Sequence, residues 1–184
     1  LVLIKAVLQK TGSEYLTDVW PNMEVFFHGG ISFEPYRDQY KALIPSDRMH
    51  YMETYNASEG FFGLQDNPEE HSLLLMIDYS VFYEFIPINE VGEEHPTVLP
   101  LEAVEVGKNY AMVITTSGGL WRYQIGDTVR FTSLYPHKFV ISGRTKNFIN
   151  AFGEELMVDN ADKAISRVCR QTGAKVKEYL SLIH

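Results

Sequence analysis

The chain is poor in the features that mark secreted, membrane and nucleic-acid-binding proteins. Its single cysteine, Cys169, cannot form an internal disulfide, which fits a reducing, cytoplasmic compartment. Apolar runs reach about five residues, as in 73–77, whereas a membrane-spanning helix needs about 20. The formal net charge is −8, and basic residues never run more than two together, which disfavours a nucleic-acid partner. We therefore expect a cytoplasmic protein that binds neither membranes nor nucleic acid.

The sequence also lacks the signs of a metal cluster and of disorder. No two of its six histidines are spaced as the ligands of a zinc site would be. Of the 184 residues, 45% are hydrophobic, and 11 tyrosines and 11 phenylalanines are among them. Such a composition supports a packed core and predicts one globular domain or two small ones.

The first 70 residues combine helix and strand patterns. Apolar residues at helical spacing predict a helix over residues 1–10. Short apolar runs predict strands at residues 24–28 and 49–56, and Pro35 suits the first turn of a helix between them. A strand–helix–strand order predicts parallel strands, so residues 1–70 are expected to form part of an α/β domain.

The pattern changes twice further along the chain. Residues 71–143 contain short β-type runs separated by turn residues, which predict an antiparallel, β-barrel-like subdomain. Residues 144–184 are expected to begin a third unit, with a helix that ends near Gly173 and has Ala164 and Val168 on its apolar face. The predicted fold class is therefore α/β with an antiparallel β-barrel-like subdomain.

The segment 53–60 is the most informative part of the sequence. It holds the aromatic ring of Tyr55, the hydroxyl of Ser58 and the carboxylate of Glu59 within five residues. These groups suit stacking on a base, contact with a phosphate and binding of Mg²⁺, respectively. Taken alone, the segment is better explained by a solvated turn with an exposed Glu59 and a half-buried Tyr55.

Two further signals follow downstream. Asp127 comes directly after Gly126 in a predicted β-turn, where a carboxylate can accept both hydroxyls of a ribose. Gly143, Arg144 and Lys146 lie at the junction to the last unit, where they can form a hinge. Each signal alone also fits a common Gly-Asp turn or an exposed basic linker.

Together the three signals resemble the adenylate-forming superfamily, which includes acyl-CoA synthetases and luciferases. Within it, the chain is most similar to the Gretchen Hagen family of acyl-acid amido synthetases, and in particular to its bacterial members. The resemblance covers nearly the whole chain. The segments that carry it are HGGISFEPY (28–36), YNASEGFFG (55–63) and NFINAFGEE (147–155).

The resemblance implies how this chain holds a nucleotide. Gly29 and Gly30 would line the adenine end of the pocket, and Tyr55 would stack on adenine or flank it. Asp127 would hold the ribose hydroxyls, and Arg144 would lie near the ribose. Residues 1–70 would then be part of a nucleotide-binding domain in the middle of an adenylate-forming enzyme fold.

The resemblance also implies roles in catalysis. Ser58 would contact the α-phosphate, Glu59 would bind Mg²⁺, and Lys146 would mark the hinge of a swinging C-terminal domain. The resemblance implies that ATP and Mg²⁺ would be the cofactors. A carboxylic acid would attack the α-phosphate of ATP to give an acyl-adenylate, and an amino acid would then displace AMP to form an amide.

The chain departs from the family pattern in two respects. Gln124 stands where plant members often have an arginine. The family's phosphate loop is expected upstream of Leu1, and the lysine that contacts the reacting carboxylate is expected beyond His184. We therefore expect a fragment that is inactive alone.

Three alternatives remain open from the sequence. The first is an acyl-CoA ligase of the same superfamily. The second is a non-catalytic binding module whose aromatic β subdomain holds a partner or a carbohydrate. The third is a fragment without a function of its own, whose exposed sheet edges pair with another copy.

Overall fold

Strands make up most of the fold. The computed structural model describes residues 1–30, 33–145, 149–151, 154–156 and 158–174. The strands are β1 (Val25–Gly29), β2 (His50–Ala57), β3 (Gly60–Leu64), β4 (Leu73–Leu75), β5 (Val81–Pro87), β6 (Leu99–Pro100), β7 (Asn109–Thr116), β8 (Tyr123–Leu134), β9 (His137–Arg144), β10 (Ile149–Ala151) and β11 (Glu154–Leu156).

The helices lie near the two ends of the described sequence. The first ends where predicted, because Gly12 adopts the left-handed conformation and its N–H binds the carbonyl oxygen of Leu8. The last ends at Gly173 in the same way. The helices are α1 (Val2–Thr11), α2 (Leu16–Val19), α3 (Arg37–Leu43) and α4 (Val158–Thr172), with 3₁₀ turns at Glu34–Tyr36, Ile88–Glu90 and Leu101–Ala103.

Nine strands form one continuous sheet. Their order is β1-β2-β3-β4-β9-β8-β7-β5-β6, and β10 and β11 form a separate hairpin. Strands β1 and β2 are parallel and are connected through α3, as the strand–helix–strand pattern predicts. The other paired strands of this sheet are antiparallel. The predicted α/β class with an antiparallel portion is thus confirmed.

The sheet curls around an aromatic core. Side chains from strands that are not neighbours in the sheet meet on its concave side, as in the edge-to-face contact of Tyr55 with Phe139. The curl accounts for the barrel-like pattern of the sequence, although β1 and β6 remain the two edges of the described sheet. The buried members of this core are Tyr55, Phe62, Leu73, Leu75, Tyr83, Phe85, Val104, Tyr110, Met112, Ile114, Ile125, Val129, Phe131 and Phe139.

A second core joins the N-terminal helices to the parallel pair of strands. Tyr51 of β2 stacks on Phe33, and Phe33 in turn contacts Tyr40 of α3. The buried members of this second core are Leu8, Leu16, Phe33, Ile44, Met49 and Tyr51. These two cores and a smaller third cluster, Ile86, Ala111 and Val113, lie on one continuous sheet, and the division at residues 70 and 143 stays a prediction.

Helix α4 packs on the turn Glu34–Tyr36 and on strand β9, and charged side chains form part of this contact. Its Arg170 lies 3.3 Å from Glu34, which also pairs with Arg37 at 3.0 Å. The predicted apolar face is wrong in this respect, because Ala164 and Val168 are exposed. The helix contacts the turn Glu34–Tyr36 and strand β9, and its buried residue in the described part is Ser166, whereas Ile165 is half-buried. No helix in the described parts of the chain is long and apolar enough to cross a membrane.

Gly63 allows the aromatic core to close beneath Tyr55. It is the register partner of Tyr55 in the β2–β3 pair. A Cβ atom added to Gly63 would lie 2.9 Å from the ring of Phe139 and 3.1 Å from Cβ of Leu73. Both neighbours are fully buried, so they have little room to move.

We expect Gly63→Ala to destabilise the chain by about 1–3 kcal/mol through overpacking. For a chain of this length, that corresponds to a fall in Tm of about 3–10 °C. Thermal unfolding followed by circular dichroism measures the change. Gly118→Ala is the matched control, because the nearest atom to its Cβ would be a threonine hydroxyl at 3.6 Å. An unchanged Tm in Gly63→Ala would contradict the close packing described here.

Candidate nucleotide site

Three of the predicted site residues are in direct contact. The Tyr55 hydroxyl donates to Oδ2 of Asp127 at 2.7 Å. Nε of Arg144 lies 3.0 Å from the other carboxylate oxygen, Oδ1. Asp127 and Arg144 are register partners on β8 and β9, whereas Tyr55 reaches them from β2. The structure therefore brings together residues that are up to 89 positions apart in the sequence numbering.

Asp127 is presented by a bulge inside a strand. The prediction of a β-turn at Gly126 and Asp127 is wrong, because both residues lie within β8. Residue Ala111 of β7 pairs with Thr128 and Val113 pairs with Gln124, so three residues of β8 oppose one of β7. Gly126 has a φ of 89°, a conformation that turns and bulges both need.

The Tyr55 ring is part of the aromatic core. Only 5% of the residue is exposed, and its ring contacts Phe62 at 5.2 Å and Phe139 at 6.0 Å between centroids, both edge-to-face. Burial and the neighbouring Asp127 carboxylate raise the pKa of the Tyr55 hydroxyl far above its ordinary value. The hydroxyl is therefore a permanent donor. That the Tyr55 ring stacks on adenine or flanks it stays a prediction.

Ser58 and Glu59 form the loop of a two-residue hairpin. Strand β2 continues to Ala57, and Ala57 pairs with Gly60, the first residue of β3. The strand predicted at residues 49–56 is thus confirmed as β2, and the turn after it consists of Ser58 and Glu59. Ser58 is exposed and Glu59 is partly exposed. The Glu59 carboxylate is near enough to contribute to the raised pKa of Tyr55.

The two predicted glycines lie at the end of β1. Gly29 is the register partner of Thr54, and a Cβ atom on Gly29 would lie 2.4 Å from the Thr54 carbonyl oxygen. Gly30 follows with a φ of 82°. Strands β1 and β2 are parallel, and ligands commonly bind at the carboxyl ends of parallel strands. Both glycines and the Ser58–Glu59 loop are at such ends.

The segment before the predicted hinge is tied to the bulge. The N–H of Thr145 donates to the carbonyl oxygen of Gly126 at 2.8 Å, and its hydroxyl reaches the same oxygen at 3.3 Å. Arg144 is exposed and pairs with Asp127. Sequence analysis missed Thr145, which no motif distinguishes from a linker residue. Lys146 lies outside the described residues.

Sequence analysis also missed a titratable pair beside the glycines. His28 and Glu53 are register partners on β1 and β2. Burial is the main cause that raises the pKa of Glu53 to about 7, and the Arg37 charge partly offsets it. Burial also lowers the pKa of His28 to about 4. The His28 ring stacks on Phe33 at 4.2 Å, and neither of its buried nitrogens has a partner among the described atoms.

The site residues offer acceptor positions for a nucleotide, but they do not supply all the ligands of a magnesium ion. A carboxylate offers about four acceptor positions, and the Asp127 side chain, 18% exposed, uses two of them. One position on each oxygen is left for a ligand. Among the described residues, no group of three or more acidic, histidine or cysteine side chains can hold a metal. Mg²⁺ at Glu59 therefore requires phosphate oxygens as its other ligands.

Two surface clefts of the described residues lie away from these side chains. One of about 580 Å³ is lined by residues around Lys138, and one of about 420 Å³ by residues around His95. Neither includes Tyr55, Glu59 or Asp127. The candidate site residues Asp127 and Glu59 are partly exposed and line neither of these two clefts.

Two family models match the chain. The GH3 family N-terminal domain matches residues 2–49, and the GH3 family central domain matches residues 74–144. Together they cover more than half of the sequence.

Curated relatives come from plants and from humans. The chain is 32% identical to an indole-3-acetic acid-amido synthetase, GH3.4, of Arabidopsis thaliana, over 97% of this chain and 32% of the relative. It is 31% identical to GH3.8 of Oryza sativa subsp. indica, over 90% of this chain and 29% of the relative. A human GH3 domain-containing protein is 32% identical over 68% of the chain and 24% of its own length. The chain spans about a third of the length of the curated plant relatives it matches.

Solved structures share the fold. The GH3.15 acyl acid amido synthetase superposes with a TM-score of 0.60 at 25% identity, over 83% of this chain and 27% of that one. The AtGH3.15 enzyme in complex with 2,4-DB gives a TM-score of 0.63 at 22% identity, over 86% and 28%. A coronafacic acid ligase from Pectobacterium brasiliense gives 0.52 at 16% identity, over 92% and 32%.

The pKa of Glu53 makes stability depend on pH. Because the folded-state pKa is raised, Glu53 favours folding at low pH and opposes it as the pH rises from about 4.5 to above 7. Between pH 5 and 8, ionisation of Glu53 should lower the free energy of unfolding of the wild type by about 1–2 kcal/mol, after allowance for partial exposure. Glu53→Gln should not show this loss. Urea unfolding across this range measures the difference.

Two controls accompany this experiment. Glu102→Gln changes an exposed acid and should leave the pH profile as in the wild type. The pH dependence that His28 causes has the opposite direction, because its contribution to the free energy of unfolding is lost as the pH falls from about 6.5 through about 4. This loss at low pH should remain in Glu53→Gln. Superimposable profiles of wild type and Glu53→Gln above pH 6 would show that Glu53 is not desolvated.

Proposed function

The chain belongs to the GH3 family, and from this premise we propose that it carries the middle of the nucleotide site of an ATP-dependent acyl-acid amido synthetase. The observation that carries the proposal is the contact of Tyr55 and Arg144 with the two oxygens of Asp127. The names of the relatives support the activity: several are indole-3-acetic acid-amido synthetases. The activity of the whole protein, its substrates and its cytoplasmic location are parts of the proposal.

Asp127 is assigned to the ribose of ATP. Its carboxylate has one acceptor position left on each oxygen, which matches the two adjacent hydroxyls of a ribose. Arg144, 60% exposed on its side chain, lies at the same place and would contact the ribose from the other side. Gly29 and Gly30 are assigned to the adenine end, where the absence of side chains leaves room at the end of β1. The buried Tyr55 would flank the base only with the ring edge that carries its hydroxyl.

The Ser58–Glu59 loop is assigned to the phosphates. The exposed Ser58 hydroxyl would donate to the α-phosphate, and Glu59 would bind Mg²⁺ together with phosphate oxygens. The ion would neutralise charge that develops on the phosphates during the reaction. Lys146 would mark the hinge at which a C-terminal domain turns between two half-reactions.

The proposed reaction has two steps. The carboxylate of the acid substrate attacks the α-phosphate, so that a P–O bond forms and pyrophosphate leaves. The amino group of an amino acid then attacks the acyl carbon, AMP leaves, and the amine loses a proton as the amide forms. The residues of this chain contribute by orientation and by neutralisation of charge.

An acyl-CoA ligase is the second candidate. It shares the adenylation step and therefore the same use of Asp127 and Glu59. The names of the curated relatives favour the amide product over the thioester.

Removal of either acid should abolish adenylation. In the full-length protein that carries these residues, we expect Asp127→Ala or Glu59→Ala to lower acid-dependent ATP–pyrophosphate exchange by about 100- to 1,000-fold. Glu59 is partly exposed, so Glu59→Ala should unfold at nearly the wild-type temperature, whereas Asp127→Ala removes the acceptor of the buried Tyr55 hydroxyl and should lower the stability by about 1–3 kcal/mol. Glu102→Ala, which removes an exposed acid far from the site in sequence, is the control. Wild-type exchange in both site variants would refute the assignment.

The second substrate separates the two candidate activities. With ATP, Mg²⁺ and an accepted carboxylic acid, we expect AMP release and an amide product on addition of amino acids, and no thioester on addition of CoA. Mass spectrometry of the products distinguishes the outcomes. Formation of an acyl-CoA without any amide would replace the amido synthetase by the ligase.

A further inference from the structure

Tyr55 and Asp127 meet across a large part of the sheet. Strands β3, β4 and β9 separate β2 from β8 in the strand order. Four strand spacings in a flat sheet amount to about 19 Å, yet the Tyr55 hydroxyl lies 2.7 Å from Asp127. The two side chains meet because the sheet curls, and their contact joins the non-neighbouring strands β2 and β8.

The Tyr55 ring is held firmly at this meeting point. Phe62 and Phe139 contact it edge-to-face, and Gly63 lets Phe139 approach the strand beneath it. The packing of the ring therefore fixes the position of the hydroxyl, and it leaves little exposed ring surface on which a base could stack. What Tyr55 presents to the site is its O–H group.

We propose that Tyr55 is a positioning residue that fixes the orientation of the Asp127 carboxylate for a vicinal diol. This inference rests on the proposed function, in which Asp127 accepts the ribose hydroxyls. Tyr55 occupies one acceptor position of Oδ2 and Arg144 one of Oδ1. Donors on both oxygens restrain rotation of the carboxylate, so that its remaining acceptor positions point in fixed directions.

The two donors differ in how firmly they are held. Arg144 is 60% exposed on its side chain, and water competes for its contact with Asp127. Tyr55 is buried, and its raised pKa keeps the hydroxyl protonated throughout the physiological range. The neutral phenol donates to the carboxylate without adding a charge, and it stays in place when the exposed arginine moves.

The test compares Tyr55→Phe with Tyr83→Phe in the full-length protein. Both substitutions delete one buried hydroxyl from the same aromatic core, but the Tyr83 hydroxyl donates to the Met76 carbonyl oxygen at 3.1 Å, away from Asp127. A purely structural role would affect the two variants alike. Rates of acid-dependent ATP–pyrophosphate exchange are measured with ATP, 2′-deoxy-ATP and 3′-deoxy-ATP.

We expect Tyr55→Phe to raise the KM for ATP by about 10- to 100-fold, the range for a lost hydrogen bond to a charged group. The KM values for the deoxynucleotides should change less, so that discrimination in kcat/KM in favour of ATP falls. Tyr83→Phe should keep wild-type discrimination. Added to Asp127→Ala, Tyr55→Phe should cause no further loss of discrimination, because the residue through which it acts is gone.

The outcomes separate this inference from the proposed function. Wild-type discrimination in Tyr55→Phe, together with its loss in Asp127→Ala, would overturn the positioning role and leave the ribose site intact. Equal discrimination in wild type and Asp127→Ala would overturn the ribose site itself. A further loss in the double variant would show that Tyr55 acts independently of Asp127.

Discussion

The curl of the sheet around its aromatic core is the constraint on which the site depends. Phe62, Phe85, Phe131 and Phe139 are at most 1% exposed, and their burial on one side of the sheet favours a curved over a flat arrangement. Because of the curvature, β2 faces β8, and Tyr55 reaches Asp127. The polar contact of Tyr55 with Asp127 thus depends on apolar packing, because buried phenylalanine side chains hold these two residues in place.

Much of the fold follows from local sequence patterns. The helix at α1, the parallel pair β1 and β2, and the antiparallel run from β4 to β9 are all visible in apolar periodicity and in turn residues. The apolar face of α4 was not predictable in the same way. Periodicity identifies an apolar stripe, but which side of a helix is covered depends on the surface it meets, here the polar turn that contains Glu34.

The site was predictable as a set of residues and less so as a geometry. The motifs around Tyr55, Asp127 and Arg144 identify groups that the structure does bring together. Their local conformation was harder to predict: glycine before Asp127 signals a positive φ, and a turn and a bulge both satisfy that signal. The burial of Tyr55 depends on Phe139 of the distant strand β9, which no local pattern in a GH3 sequence reveals.

The shared use of Glu34 has a consequence for movement at the C-terminal side. One carboxylate holds Arg37 of α3 and Arg170 of α4, and Arg170 is 59% exposed on its side chain. An exposed ion pair of this kind contributes about 0–1 kcal/mol, comparable with thermal energy, and salt weakens it further. When α4 departs, Glu34 keeps its arginine neighbour on α3, so no buried charge is stranded. The ion pair with Arg170 therefore contributes little to the docking of α4, and the remaining contacts of the helix, with the turn Glu34–Tyr36 and with β9, carry most of it.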